Sequence, residues 1–289
     1  MYKVAILGCE NSHANNFLKA VLVDKICEDI EFVGVYSHEP EAMEKLHEEF
    51  GVAMAESYDA FVGKVDGIII TARHGDNHYK YAKPYLDCGI PMFIDKPITC
   101  TEEDAKAFMN DLKSRNVPVS GGSVCVLNDF VQELKQVVNE KKYGDVLGGY
   151  LRAPIMMQSP HGGFFFYAQH LAQTMMEIFG NYPESVRAWQ KGEIIHCDVH
   201  YADYDVDLAY TPNSWIYYAG VSSFEKFVGD AFSTGDGFAK EFMEFHRLLE
   251  GKPQKQTYED FFAPVFVLNA MNRALLSGNV EKVNRVEEI

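Results

Sequence analysis

Lys96 is the residue whose type and position most clearly suggest chemistry. It follows the apolar run Met92–Ile94 and Asp95, and Pro97 comes directly after it. This pattern predicts a buried strand whose carboxyl end faces a cleft, because open α/β sheets bind ligands at the carboxyl ends of their strands. A lysine held there is well placed to act on a bound ligand. A surface lysine after an ordinary strand is the alternative.

A glycine-led turn follows the first predicted strand. It runs from Gly8 to His13 and occupies the place where dinucleotide-binding folds carry G-x-G-x-x-G. Only the first glycine is present, because Glu10 and His13 stand at the other two positions. Asn11, Ser12 and their N–H groups can cap the next helix and receive a phosphate. A carboxylate ~4 Å from a phosphate costs several kcal/mol, so we expect Glu10 to point away or the cofactor to lie differently. A capped helix without a ligand is the alternative.

Two further strand ends carry polar residues. Ser37 and His38 follow the second predicted strand, where folds that prefer NAD usually place Asp or Glu. The missing carboxylate removes repulsion against a 2′-phosphate, so NADP is expected to be tolerated. Some polar residues after the third strand can be ordinary cap and turn residues. The candidate cofactor-binding residues after the third strand are Thr71, Arg73, His74 and His78.

A glycine- and aromatic-rich segment between His161 and His170 supplies further candidates. His170 begins a predicted helix that Gly180 closes, and an imidazole there can serve as an acid or a base. A satisfied core or surface histidine is the alternative. Tyr167 lies three residues before His170 and is a candidate to assist it. Tyr79 and His161 are candidate substrate-binding residues.

One strand pattern raises the question of a metal. His196, Asp198 and His200 alternate along a predicted strand and therefore share one face. Two imidazoles and a carboxylate can bind a divalent ion and support lyase or isomerase chemistry. A polar sheet face or subunit interface explains the pattern more simply, so no metal site is assigned.

The surrounding pattern divides the chain into two predicted domains. Residues 1–120 alternate strands with helices, which predicts a Rossmann-type α/β domain with a parallel sheet and right-handed crossovers. In residues 121–289, long period-two runs predict an α+β domain with an open, mainly antiparallel sheet. Two helices, 237–249 and 258–276, are predicted to close the chain.

Composition excludes several classes of protein. The 289 residues are 47% hydrophobic and 24% charged, which indicates packed cores rather than disorder. The net charge of −16 argues against partners that are nucleic acids or anionic membranes. Six widely spaced cysteines predict a reducing cytoplasm rather than a disulfide framework. We expect neither a signal peptide nor a membrane span.

Taken in order, these segments resemble the Gfo/Idh/MocA oxidoreductases, which include glucose-fructose oxidoreductase and inositol dehydrogenase. The resemblance extends over nearly the whole chain. The glycine-led turn is followed by Thr71–His78, similar to T-P-x-x-x-H, and by Asp95-Lys96-Pro97, similar to E-K-P. Gly162–Gly180 resembles G-G-x-x-x-D-x-G-x-H-x-x-D followed by L-G, and Asn269–Ser277 resembles the family's final helix.

The chain departs from this pattern near His170. The family's catalytic aspartate, four residues before the histidine, falls on Phe166, its small glycine on Ala168 and its later aspartate on Gln173. The segment is about one residue short, so Tyr167 is a candidate to fill the space of the missing aspartate. Lys96 and His170 carry over as catalytic residues.

The resemblance implies an NAD(P)-dependent oxidoreductase that transfers hydride between nicotinamide and the hydroxyl or carbonyl of a sugar, a polyol or a related small molecule. A cleft between the two domains is expected to hold cofactor and substrate. The resemblance also implies a homodimer or homotetramer formed through the second sheet. The residues expected to bind NAD or NADP are Gly8, Asn11, Ser12, His13, Ser37, His38, Thr71, Arg73, His74, His78, Asp95, Lys96 and Pro97.

Glu10, Phe166 and Gln173 motivate an alternative of another class. In it, the chain keeps the fold but has lost efficient turnover, and it acts as a ligand-binding or regulatory protein.

Overall fold

The computed structural model describes residues 1–235 and 237–286. The strands are β1 (Tyr2–Leu7), β2 (Ile30–Tyr36), β3 (Gly67–Ile70), β4 (Met92–Asp95), β5 (Val119–Gly122), β6 (Val146–Pro154), β7 (Ser185–Lys191), β8 (Ile194–His200), β9 (Asp205–Thr211), β10 (Tyr217–Ser223), β11 (Phe227–Phe232) and β12 (Val280–Lys282). The helices are α1 (Ser12–Leu22), α2 (Pro40–Phe50), α3 (Asp76–Ala82), α4 (Glu102–Arg115), α5 (Asp129–Asn139), α6 (Phe164–Phe179), α7 (Gly237–Leu249) and α8 (Tyr258–Ser277). Two 3-10 turns span Lys83–Cys88 and Val124–Leu127.

The chain forms two compact units. The first contains residues 1–99 and 104–122 together with the segment around α7 that ends at Phe261. The second contains residues 100–103 and 123–235 and the segment from Phe262 onward.

The first unit contains the predicted parallel sheet, in the order β2-β1-β3-β4-β5. The residues of β3 and β4 are fully buried, as their continuous apolar sequences predict for strands covered on both faces. Because all five strands run in the same direction, Leu7, Tyr36, Ile70 and Asp95 end at one edge of the sheet. The predicted Rossmann-type α/β fold is therefore confirmed.

The helical segment after β3 has two parts. It begins at Asp76, and α3 ends at Ala82 before a 3-10 turn continues to Cys88. Pro84 has no N–H group for the α-helical bonding pattern, which explains the change in geometry there. Gly89 stops the segment with φ 65°, a backbone conformation that glycine adopts readily.

Helix α7 belongs to the first unit, although the boundary expected from the sequence placed it in the second domain. Phe242 and Phe245 are completely buried and lie in one hydrophobic cluster with Phe17 and Phe93. Burying each such side chain contributes roughly 1.5–3 kcal/mol. These phenylalanines are far apart in sequence, so local sequence patterns cannot predict that they pack together.

The second unit contains a seven-stranded sheet in the order β11-β10-β6-β9-β8-β7-β12. Strands β6 and β9 are parallel, whereas the other neighbouring pairs are antiparallel, so the mainly antiparallel prediction is confirmed. Strands β7 and β12 were not predicted. Along β8, buried residues alternate with partly exposed ones, so the strand presents one covered face and one open face. In the described part of the chain, no helix has the length and apolarity to cross a membrane.

Candidate active site

Lys96 lies where the sequence predicts, at the carboxyl end of β4. Lys96 is only 3% exposed. Its backbone N–H donates to Asp95 Oδ1 at 2.7 Å. The peptide bond between Lys96 and Pro97 is cis. The carboxylate of Asp95 thus fixes the backbone that carries the lysine.

The second oxygen of Asp95 joins the end of β4 to the glycine-led turn. Asn11 Nδ2 donates to Asp95 Oδ2 at 2.9 Å, and His13 Nδ1 lies 3.2 Å from the same oxygen. Asn11 also caps α1, because its Oδ1 accepts from the backbone N–H of His13 at 3.4 Å. Two segments that the sequence identified separately therefore form one hydrogen-bonded group.

Glu241 on α7 extends this group, and the sequence analysis missed it. Its Oε2 lies 3.6 Å from His13 Nε2, a distance too long for a hydrogen bond. Neither oxygen of Glu241 has a hydrogen-bond partner among the described residues, and the residue is only 3% exposed. The sequence contains a pattern that could have predicted the burial of Glu241. Helical spacing places Glu241 on the same apolar face as Phe238, Phe242 and Phe245.

Burial controls protonation in this group. It raises the pKa of Asp95 to about 7, although the positive charge of Lys96 and the Lys96 N–H bond act in the opposite direction. Burial, together with the charge of Asp95, raises the pKa of Glu241 well above its usual range. Burial, together with the charge of Lys96, holds the pKa of His13 well below its usual range. Burial therefore favours the neutral forms of the His13 imidazole and the Glu241 carboxyl group.

The side chain of Glu10 is turned toward the neighbouring strand ends. Its Oε2 accepts from Ser37 Oγ at 2.7 Å, and its Oε1 accepts from the backbone N–H of Arg73 at 3.1 Å. Gly8 has φ 78°, and a Cβ there would lie 2.4 Å from the backbone nitrogen of Ala72, so only glycine fits. The carboxylate that the sequence lacks after β2 is thus supplied by the turn after β1.

The predicted residues after β2 and β3 divide into buried and surface positions. Thr71 is completely buried and donates to the carbonyl of Gly8 at 3.0 Å. The imidazole of His38 is 53% exposed and lies 3.9 Å from Glu39, whereas that of His74 lies 3.6 Å from Asp76.

The imidazole of His78 contacts two loops inside the first unit. Its Nε2 lies 2.7 Å from the carbonyl oxygen of Ala72, and its Nδ1 lies 3.3 Å from that of Ile98. Burial lowers the pKa of His78 to about 4, although the two carbonyl oxygens favour the protonated ring and act in the opposite direction. The imidazole joins the loop after β3 to the loop that carries Lys96.

Tyr79 contacts α4 through its hydroxyl and its ring. The hydroxyl donates to Asp111 Oδ2 at 2.6 Å, and the ring stacks on Phe108 with centroids 4.8 Å apart. Burial and the bond to Asp111 raise the pKa of Tyr79. A small cavity of about 230 Å³ lies beside it, and Lys80 and Lys83 are among its lining residues.

In the second unit, a serine hydroxyl and a cysteine thiol lie beside His170. Its Nδ1 lies 2.8 Å from Ser123 Oγ and 3.7 Å from Cys125 Sγ. Gln173, at the position of the family's later aspartate, accepts from the backbone N–H of Ser123 at 2.9 Å and from Gln169 Nε2 at 3.0 Å. Gln173 therefore positions the residue that contacts His170. The sequence analysis missed Ser123.

Aromatic rings lie beside His170 on α6. The ring of Tyr167 lies 5.3 Å from that of His170 and 5.4 Å from that of Trp215, which is 60% exposed. Phe166, at the position of the family's catalytic aspartate, packs its ring 5.2 Å from His161.

The possible metal triad on the second sheet does not form a compact ligand set. His196 stacks on Trp189 with ring centroids 5.3 Å apart, and His200 Nδ1 lies 2.8 Å from Asp205. Burial raises the pKa of Asp207, and its hydrogen bond with Asp198 acts in the same direction. Within residues 1–235 and 237–286, His196, Asp198 and His200 are not among the groups whose ligand atoms converge on one point.

The predicted catalytic residues lie in different compact units. Lys96 belongs to the first unit, whereas Tyr167 and His170 belong to the second. The structure therefore brings together the predicted residues within each half. The assignment of both halves to one reaction stays a prediction.

Comparison with known proteins supports the expected class. Residues 2–123 match the Gfo/Idh/MocA model, described as an oxidoreductase family with an NAD-binding Rossmann fold. An uncharacterised oxidoreductase of Streptococcus pneumoniae is 25% identical over 181 residues, which are 58% of this chain and 49% of the relative. The oxidoreductase YhhX of Escherichia coli, also uncharacterised, is 24% identical over 39% of this chain and 35% of its own length. The chain spans about half or less of the length of these curated relatives.

Solved structures show the same fold over nearly the whole chain. Scyllo-inositol dehydrogenase from Lactobacillus casei, with bound NAD(H) and scyllo-inositol, has a TM-score of 0.85 at 15% identity and covers 98% of this chain and 99% of its own. Myo-inositol 2-dehydrogenase from Lactobacillus plantarum has a TM-score of 0.86 at 13% identity, with the same coverage. At these identities the likeness shows the fold alone.

Proposed function

Because residues 2–123 form a Rossmann domain of the Gfo/Idh/MocA oxidoreductase family, we propose that this protein is an NAD(P)-dependent oxidoreductase. It transfers hydride between nicotinamide and a CH–OH group of a sugar, a polyol or a related small molecule. The solved inositol dehydrogenases with the same fold support this class of substrate.

The placement of Lys96 carries the proposal. A nearly buried lysine follows the fully buried strand β4, and the carboxylate of Asp95 fixes its backbone. Asn11 and His13 hold that carboxylate in turn. Ligands of open α/β sheets bind at this edge, and a fixed cation there stabilises an oxygen that gains negative charge.

The first unit has groups that fit a dinucleotide. Gly8 allows a tight turn after β1, and Asn11 caps the α1 N-terminus, whose dipole favours a phosphate. Glu10 is bound to Ser37 and Arg73, so its carboxylate is already held by two donors. The nicotinamide, when bound, supplies the hydride acceptor.

In the proposed mechanism, Lys96 hydrogen-bonds the hydroxyl that reacts and stabilises its oxygen as the proton leaves. His170 accepts or returns that proton, and Ser123 orients its imidazole through Nδ1. Tyr167 assists from the adjacent turn of α6. Gln173 has a positioning role, because it holds the backbone of Ser123.

A non-catalytic binding or regulatory protein is the second candidate function. It is supported by Phe166, whose ring lies at the position of the family's catalytic aspartate and packs on His161 and Tyr167. This candidate requires tight binding of a dinucleotide or sugar without turnover.

The open face of the second sheet supports a proposed homodimer or homotetramer. Leu147, Tyr150, Trp189 and Phe227 each expose 40% or more of their surface. A cytoplasmic location is proposed as well, because the six cysteines form no disulfide in the described part of the chain.

Turnover of purified protein with a panel of inositols and sugars, combined with NADH fluorescence titration, tests the proposal. We expect micromolar NADH binding, and we expect Lys96→Ala to lower kcat at least ~100-fold, since it removes a charge at the reacting oxygen. Lys45→Ala is the matched control, because Lys45 is an exposed lysine on α2.

The possible results separate the two candidates. Binding with turnover that depends on Lys96 supports the enzyme. Binding without turnover of any substrate favours the regulatory candidate, and no binding of either nucleotide at millimolar concentration contradicts both.

A further inference from the structure

The Glu10 carboxylate lies across three strand ends of the parallel sheet. It extends from the turn after β1 and accepts hydrogen bonds from Ser37, directly after β2, and from Arg73, after β3. These strands are neighbours in the order β2-β1-β3. Glu10 is 5% exposed and Ser37 is 2% exposed, so the carboxylate has a defined place at this edge.

Rossmann folds that bind NAD place a carboxylate at the end of β2, where it accepts hydrogen bonds from the ribose hydroxyls of adenosine. This chain has Ser37 there, and the Ser37 hydroxyl donates to Glu10. We propose that Glu10 is the ribose-binding carboxylate of this chain and that it makes the site select NAD against NADP. This inference rests on the proposed function, because it assigns the cofactor selectivity of the same site.

The carboxylate retains capacity for a ligand. Each carboxylate oxygen has two acceptor positions. The contact with Ser37 uses one position on Oε2, and the contact with the Arg73 N–H uses one on Oε1. One position on each oxygen remains, which matches the two ribose hydroxyls of an adenosine that lacks a 2′-phosphate.

The surrounding charges oppose a 2′-phosphate. Arg73 is the nearby cation, and its guanidinium lies 3.6 Å from Glu39, so a second carboxylate offsets its charge. Glu39 also donates its backbone N–H to Ser37 Oγ, which brings it to the same strand end. Two carboxylates and one guanidinium leave a net negative charge where the additional phosphate of NADP would have to enter.

Direct binding measures this selectivity without any turnover. We expect the full-length protein to bind NADH roughly 10- to 100-fold more tightly than NADPH in fluorescence titrations, since like charges repel at short range. Glu10→Gln should lower the ratio of the two dissociation constants at least ~10-fold, because it removes the charge but keeps the side-chain volume. Asp66→Asn is the matched control. Asp66 lies just before β3, at the opposite edge of the sheet, and its substitution should leave the ratio unchanged.

A second measurement uses the unaltered protein and does not depend on the folding of a variant. ADP and 2′-phospho-ADP compete with NADH, and we expect 2′-phospho-ADP to compete roughly 10-fold more weakly or worse. Equal competition overturns the selectivity, and a ratio that persists in a folded Glu10→Gln variant overturns the assignment of Glu10. Failure of both NADH and NADPH to bind overturns the proposed function and this inference together. Equal binding of NADH and NADPH overturns the selectivity alone.

Discussion

The contacts that join the segments near Lys96 differ in kind from those beside His170. Three acidic side chains, those of Glu10, Asp95 and Glu241, are buried in the unit that contains Lys96. The contacts of His170 include a serine hydroxyl, a cysteine thiol and the ring of Tyr167. The two regions should therefore respond differently to substitution and to pH.

The largest effect is expected for a substitution of His170, which tests whether the region around this residue is catalytic. His170→Ala should lower kcat roughly 10²- to 10⁴-fold, the usual contribution of a general acid or base, and leave NADH affinity nearly unchanged. Steady-state turnover and fluorescence titration measure the two quantities. His47→Ala on α2 serves as control, because it removes an exposed imidazole that contacts the backbone carbonyl of the nearby Val52 in the first unit. Unchanged turnover in His170→Ala would remove the second region from the reaction.

The next prediction concerns the acid sensitivity of the first region. Burial lowers the pKa of His78 to about 4. Below its ordinary pKa near 6.5, the unfolded chain binds a proton that the folded chain does not, so stability is lost as pH falls from about 6.5 to about 4. The loss amounts to about 3 kcal/mol. Urea unfolding of the wild type and of His78→Gln at several pH values in this window measures it. The variant should lose less stability over the window, and parallel curves would contradict the assignment.

The smallest effect compares two helix caps, one in each region. Asn11 caps α1 and also donates to the buried Asp95, whereas Asn128 caps α5 and donates to the carbonyl of Ser233. Asn128→Ala should cost about 1 kcal/mol, the usual value for a lost cap. Asn11→Ala should cost about 2 kcal/mol, because it also removes one of the donors to the buried carboxyl of Asp95. Urea unfolding of both variants provides the comparison, and equal costs would show that the bond to Asp95 contributes no stability.

Local pattern was sufficient to predict much of the fold. Continuous apolar runs predicted β3 and β4, and alternation predicted β8, because burial on two faces or one face dictates these patterns. Strands β7 and β12, at one side of the second sheet, were missed. The pairing of Val280 with Arg187 spans almost a hundred residues, and no local periodicity encodes such a contact.

The sequence by itself determined which residues can do chemistry and the sheet edge at which they lie. Lys96 after a buried strand and a glycine-led turn after β1 were sufficient for that, since parallel strands end together. Only the tertiary structure decided the partners of these residues. Glu241 lies 228 positions after His13. Glu10 contacts Ser37, after β2, because its side chain points toward that strand. Such contacts depend on distant packing and on side-chain rotamers, which spacing along the chain does not specify.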